Sequence, residues 1–292
     1  MMEPKPMVSV CMITYKHEQF IAQAIEGVLM QKVNFEVELI IADDASPDST
    51  ESIVQQYITS HPTGHWIKYT RHSDNKGMMP NFVWALQQCK GKYIALCEGD
   101  DYWTDPLKLQ KQVTFLEEHT EYSLCGHQAS KMIDEKVTEE ILGKFHKSTF
   151  TYDDVAGNNI RIPTASIVFR NQLVFPDWIY RVYGGDMALI FLNAQKGLLK
   201  ILDFTGAVYR VHTGGIEQLF KKDKVLLPVR NIAEYKLYRS LVSAVSMHRR
   251  RIDRKLAWNY FYLGFIQIKQ LMFMKSIDSL VKASVCKIKS WY

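Results

Sequence analysis

The 292-residue chain has no long hydrophobic run. No stretch reaches the roughly 18 apolar residues that a membrane-spanning helix needs. Its five cysteines (Cys11, Cys89, Cys97, Cys125 and Cys286) are scattered, with no CxxC pair. That spacing argues against a zinc site and a disulfide framework, and it fits a reducing compartment. The N-terminus offers an acidic residue, two prolines and a short apolar run from Met7 to Ile13, which is not the pattern of a secretory leader. Internal repeats and low-complexity segments are also missing. A hydrophobic content of 47% and a charged content of 23% are ordinary for a globular protein and exclude a disordered chain. The location these absences suggest is the cytoplasm.

Charge is unevenly distributed. Residues 1–216 carry 20 Lys/Arg and 26 Asp/Glu, whereas residues 217–292 carry 16 and 5. A net +5 chain therefore consists of an acidic body and a strongly basic end. Such an end suits an anionic membrane surface or nucleic acid.

The first hundred residues alternate strand-like and helix-like patterns. Met7–Ile13, Val37–Ala42, Trp66–Thr70 and Tyr93–Cys97 read as strands. Phe20 to Leu29, Ile53 to Ile58 and Pro80 to Cys89 follow helical spacing. This order predicts a parallel sheet covered by helices. Asp48-x-x-Glu51 resembles a capping box, and Asp105-Pro106 a helix start running to about His119. Residues 130–160 are polar and weakly periodic and read as loops or a flap. Ile167–Arg170, Leu199–Asp203 and Ala207–Val211 are strand-like, and from about Val225 onward the pattern is helical.

In open sheets of this kind, ligands bind beyond the carboxyl ends of the strands. Three polar clusters fall there: Thr14-Tyr15, Asp43-Asp44 and Glu98-Gly99-Asp100-Asp101. The last delivers three carboxylates to a strand end, enough to hold Mg²⁺ or Mn²⁺ beside a substrate phosphate. An acidic loop before a helix is the plainer reading. Asp43-Asp44 could accept hydrogen bonds from a base or a sugar hydroxyl, or simply form a turn. Asp186 follows two glycines at a probable helix start. It is either a cap or a general base that takes a hydroxyl proton. His212, at the end of Tyr209-Arg210-Val211, could ligate a metal, contact a phosphate or be structural. Arg210 could pair with a phosphate or with a surface acid. Tyr102-Trp103 could wall a sugar ring or pack in the core.

In order, these segments resemble the family 2 glycosyltransferases. Val8–Tyr15 is similar to the family's opening strand, Leu39–Thr50 to its nucleotide-binding turn, and Cys97–Trp103 to its DxD-type metal motif. Gly185-Asp186 and His212 sit where the catalytic acidic pair and a later histidine are expected. The resemblance, over about residues 7–215, implies a GT-A (Rossmann-like) α/β fold, a mostly parallel sheet flanked by helices over residues 1–216; charge and helical pattern set residues 217–292 apart as a basic helical C-terminal region. It implies an inverting, Mn²⁺- or Mg²⁺-dependent transfer of one sugar from a nucleotide-diphosphate sugar, a UDP-sugar first, to an acceptor hydroxyl on a glycan or a lipid-linked carrier. Carried over residue by residue, Tyr15 and Asp44 would hold the base, with Thr14, Asp43 and Asn81 also at the nucleotide sugar. Asp100 would contact ribose or metal, Asp101 would be the chief metal ligand, and His212 would support the metal or the diphosphate. Asp186 would be the base. Gly185 departs from the family, which usually has an acid there, and Glu98 stands where Asp is commoner. No Gln-x-x-Arg-Trp motif is present, which favours addition of a single sugar over processive polymerisation.

Residues 230–292 mix Lys/Arg with large apolar residues, and Leu256–Ile266 is apolar nearly all round. This tail is expected either to lie on the inner membrane face or to pack on protein. Three rival functions remain. A sugar-1-phosphate nucleotidyltransferase needs a Gly-rich N-terminal loop, yet Thr14-Tyr15-Lys16-His17-Glu18 contains no glycine. A nucleic-acid binder would leave the acidic clusters unexplained. An inactive nucleotide-sugar-binding module would be indifferent to loss of Asp186.

Overall fold

The structure is a computed structural model that describes residues 5–156, 160–215, 223–242 and 247–289, with side chains to residue 271. The chain divides into two compact units, 1–212 and 213–292.

In the first unit, β1 (Val8–Thr14) is flanked by β2 (Val37–Asp43) and β4 (Tyr93–Leu96), and β3 (Ile67–Arg71) lies beyond β2. All three of these pairings are parallel. Parallel strands carry helices on both faces, so their side chains are buried on both. Val8, Val10, Met12, Leu39, Ile41, Ile94 and Ala95 are accordingly fully buried. Each such Val, Leu, Ile or Met side chain contributes about 1.5–3 kcal/mol of burial. Helices α1 (Ile21–Leu29), α2 (Thr50–Ser60) and α3 (Met78–Gln88) connect these strands. The apolar face of α1 follows helical spacing, with Ile21, Ala24, Ile25 and Val28 all inside.

The second half of the sheet is mixed. β5 (Tyr102–Trp103), α4 (Lys108–Glu118), β6 (Tyr122–Ile133), β7 (Lys136–Leu142), β8 (Thr149–Phe150) and α5 (Tyr152–Val155) come next in the chain. They are followed by β9 (Val168–Arg170), α6 (Gly185–Ala194) and β10 (Leu198–Val211). Across the sheet the order is β3-β2-β1-β4-β9-β6-β10-β5. β9 is antiparallel to both β4 and β6, while β10 runs parallel to β6.

Several expectations change. Residues 130–142, read as loop, belong to the hairpin of β6 and β7. The two strands expected between 199 and 211 are one strand, irregular between Leu202 and Ala207. No capping box forms at Asp48: α2 begins after Ser49 without a side-chain cap. Asp48 instead accepts hydrogen bonds from Thr50, and Glu51 pairs with Arg71. Helix α4 starts at Lys108, and Asp105 accepts the Leu107 amide in the turn before it.

One cation lies inside this unit. Lys108 is fully buried, donates to Gln112 Oε1 at 2.8 Å, and sits 4.0 Å above the Trp103 ring. Burial pulls its ammonium down to about 7.

The second unit contains α7 (Leu226–Leu241) and α8 (Met247–Lys289). Ile232, Tyr235, Val242, Ile252 and Leu256 form its own small core. Asn231 donates to Asn259 across the pair at 3.0 Å, and Arg239 pairs with Asp253. Among the described residues, no helix is long and apolar enough to cross a membrane.

Candidate active site

The parallel order β2-β1-β4 brings the carboxyl ends of these strands side by side. The amide of Asp44 donates to Thr14 O at 3.0 Å, and that of Gly99 to Ile13 O at 3.0 Å. The turns leaving β1 and β2 each contain a non-glycine residue in the left-handed region, Lys16 (φ 59°) and Ala45 (φ 60°). Such a conformation costs on the order of 1 kcal/mol or more and persists only where the surroundings impose it. Here the turns hold each other. Lys16 N donates to Ser46 Oγ, His17 N to Thr50 Oγ1, Glu18 N to Asp48 Oδ2, and Ser49 N to Glu18 Oε2.

The two acids ending β2 are fully engaged by the protein. Asp43 is fully buried and accepts Ser46 N at 2.8 Å and the Tyr69 hydroxyl at 2.8 Å. Asp44 accepts Lys76 N at 2.7 Å and Gly77 N at 2.9 Å, which fixes the turn before α3. Asn81, on α3, is buried between His72 and the carbonyl of Ala42. Tyr15 is exposed, with the Lys16 ammonium 5.0 Å from its ring centre.

The acids after β4 are arranged differently. Asp100 Oδ2 lies 3.0 Å from His212 Nε2 and 3.9 Å from His17 Nε2. One ligand atom from each of His17, Asp100 and His212 falls within 4.8 Å of the others, a spacing that could hold a metal ion. Two imidazoles and a carboxylate suit a divalent transition-metal cation. The cradle is tight. A Cβ at Gly99 would come within 2.9 Å of both His17 Nδ1 and Thr14 Oγ1. Those two atoms are buried and make no hydrogen bond within the protein.

Asp101, expected as the chief ligand, is not part of this group. It is 2% exposed, and its Oδ1 accepts the amide of Arg210 at 2.9 Å. The cause lies on β10: the Arg210 amide holds Asp101 back toward that strand, while Asp100 turns to the histidines. Arg210 bridges the two elements, donating to Asp100 O at 2.6 Å and to Gln23. Its guanidinium lies over the Tyr102 and Phe20 rings, 4.5 and 5.2 Å from their centres. Trp103 belongs to the core, 2% exposed, with its indole N–H donating to Ala165 O.

Crowding sets the charges. Burial pushes the Glu98 carboxyl up to about 8, with Asp100 and Asp186 adding to the shift. Burial, then Asp100 and Glu98, raises Asp101 well above the carboxylate range. Burial also opposes ionisation of Asp100, but the His212 hydrogen bond and His17 outweigh it and leave that carboxyl lowered. The influence on Glu98 brings Asp186 into the same electrostatic neighbourhood as the acidic turn. Asp186 is half-buried in the first turn of α6. Gly185 before it sits against α3, where a Cβ would meet the Phe82 ring at 2.7 Å.

The structure thus brings together Asp100 and His212, both singled out from the sequence, and adds His17, which is not. A signal was there: His17 lies three residues beyond Thr14, at the same strand end.

Known proteins share this architecture. The Glycosyl transferase family 2 profile matches residues 9–177. An uncharacterized protein of Mycobacterium tuberculosis is 37% identical over 210 residues, 72% of this chain and 60% of that protein. The chain thus spans 60% of that relative's length. EpsE of Bacillus subtilis, which carries a glycosyltransferase name, is 38% identical over 125 residues, 43% of this chain and 44% of EpsE. Two solved structures share the fold. S. aureus TarS 1–349 in complex with UDP has a TM-score of 0.59 at 17% identity, covering 87% of this chain and 70% of that one. A mannosyltransferase from Pyrobaculum calidifontis with GDP-Man and Mn²⁺ has a TM-score of 0.60 at 15% identity, covering 89% and 73%. These likenesses bear out the GT-A fold expected from the sequence, and with the profile match over more than half its length, the chain belongs to glycosyltransferase family 2.

Proposed function

We propose that this protein is an inverting, divalent-metal-dependent glycosyltransferase. It moves one sugar from a nucleotide-diphosphate sugar, a UDP-sugar first, to a hydroxyl of a glycan or lipid-linked acceptor in the cytoplasm. The observation that carries the reading is the pairing of His17, Asp100 and His212 within 4.8 Å with a separate carboxylate, Asp186, on another element. Family membership and the UDP, UDP-GlcNAc and GDP-Man in the TarS and mannosyltransferase structures support it.

The roles follow from position. His17, Asp100 and His212 would hold the cation, which would supply positive charge to offset that developing on the diphosphate. Tyr15, exposed at the end of β1, faces the nucleotide base. Asp43, Asp44 and Asn81 position these groups from behind, because the protein engages their polar atoms, and Asp101 does so through its bond to the Arg210 amide. Asp186 accepts the proton of the acceptor hydroxyl as its oxygen bonds to the anomeric carbon. The bond from that carbon to the phosphate oxygen breaks, and the nucleoside diphosphate leaves with the electron pair. In-line displacement inverts the centre.

A thermal-shift panel of UDP-, GDP- and dTDP-sugars, each with and without Mn²⁺, tests this. A ligand that binds the native state alone raises apparent stability. The expected result is stabilisation by a UDP-sugar that requires the metal. No shift with any pair of metal and nucleotide sugar overturns the proposal.

A further inference from the structure

The long helix α8 has two apolar faces, and its own unit covers only one. Ile252, Leu256 and Ile266 point inward, at 0%, 8% and 9% exposure. Trp258, Phe261, Phe265 and Ile268 are 66%, 69%, 46% and 57% exposed. At 100° per residue these four residues, with Tyr262, fall in a sector about 120° wide, roughly opposite the buried face. Isolated exposed apolar residues need no explanation, but a continuous aromatic stripe does.

The same sector carries charge of one sign. Arg250, Arg251 and Arg254 lie on it within the two turns before Trp258, and Lys269 lies on it after Phe265. Asp253 lies off the sector and pairs with Arg239 across to α7. Residues 217–292 have 16 basic against 5 acidic residues.

We propose that this face of α8 docks on an anionic lipid surface, lying in the headgroup layer. Aromatic rings suit that boundary because they join an apolar body to a polar or polarisable edge. Arginines beside them meet the lipid phosphates, and a helix built this way lies on a bilayer rather than crossing it. A second copy of the chain fits less well, since it brings the same cations to the contact. A membrane satisfies both halves of the face at once.

The full-length protein is sedimented with vesicles of phosphatidylcholine, with and without phosphatidylglycerol. The wild type is expected to pellet with the anionic vesicles and to remain largely in solution with the neutral ones. Trp258→Ala/Phe261→Ala/Phe265→Ala should release it from the anionic vesicles. Arg250→Gln and Arg254→Gln should each weaken partitioning by about fivefold at low salt, the effect of losing one cation near a charged surface, and less at high salt. All the substituted positions are on the exposed sector, so far-UV circular dichroism and the nucleotide-sugar thermal shift should match the wild type. That retained shift separates failure here from failure of the transferase reading. The inference is overturned if the wild type stays in solution with both vesicles, or if the triple variant pellets as the wild type does. It is also overturned if light scattering finds a dimer that the triple variant dissolves.

Discussion

Asp43 and Asp44 end β2, while Glu98, Asp100 and Asp101 follow β4, with only β1 between the two strands. Both groups are runs of carboxylates at strand ends, and both sit in tight turns. The β2 pair is met by protein hydrogen-bond donors at every oxygen: Ser46, Tyr69, Lys76 and Gly77. The β4 group has three acids crowded together, with the Arg210 amide on Asp101 and the His212 ring on Asp100. Acids that the protein has satisfied build structure. Acids it has crowded, and left short of donors, are held for a cation or a proton.

Four experiments would break or sharpen this contrast. The largest effect is expected at the carboxylate outside both groups. Asp186→Asn should reduce turnover by about 10²–10⁴-fold, the usual range for a lost general base, with the metal-dependent thermal shift by the sugar donor retained. Parallel loss of the shift would make Asp186 a binding residue instead.

Within the crowded group, Asp100→Ala and His17→Ala should each lower Mn²⁺ affinity by roughly 100-fold or more, since even outer-shell partners of a metal contribute 10–100-fold. Asp101→Asn should lower it far less. Titration of Mn²⁺ followed by its electron paramagnetic resonance signal reads this directly. If Asp101→Asn is the more damaging change, Asp101 is a ligand after all.

For the satisfied pair, Asp43→Ala should cost about 2–4 kcal/mol in denaturant unfolding, because it strands the Ser46 amide and the Tyr69 hydroxyl in a buried site. Its Mn²⁺ affinity should match the wild type.

Per pH unit, the smallest effect concerns the buried lysine. The Lys108 ammonium falls from 10.5 to about 7 on folding, so between these values the unfolded chain binds the extra proton. Stability should therefore rise with pH from about 7 to 10.5, by at most about 1.4 kcal/mol per pH unit from this group. Lys108→Met should flatten that rise. An unchanged pH profile in the variant would assign the slope to other groups.

The first half of the sheet is legible in the sequence because its strands are apolar on both faces, as in Val8–Ile13 and Leu39–Ala42. β6 is not, because Ser123, Gly126, His127 and Ser130 interrupt its apolar run. The structure buries several of them by pairing rather than by hydrophobicity. The Ser123 hydroxyl donates to Asn193 O, and Gln112 reaches the carbonyl of Cys125. The site is legible as far as strand ends predict it. Which of Asp100 and Asp101 turns outward is decided by Arg210, more than a hundred residues away in the chain, and short-range spacing carries no trace of that. His17 escapes for a related reason: its role depends on β10 returning His212 beside it.

The packing at Gly185 ties two distant positions together. Any side chain there would bring its Cβ to 2.7 Å from the Phe82 ring and 3.3 Å from the sulfur of Met79. A larger residue at 185 is therefore tolerated only with a moved or smaller ring at 82, and substitutions at these two positions should not be additive.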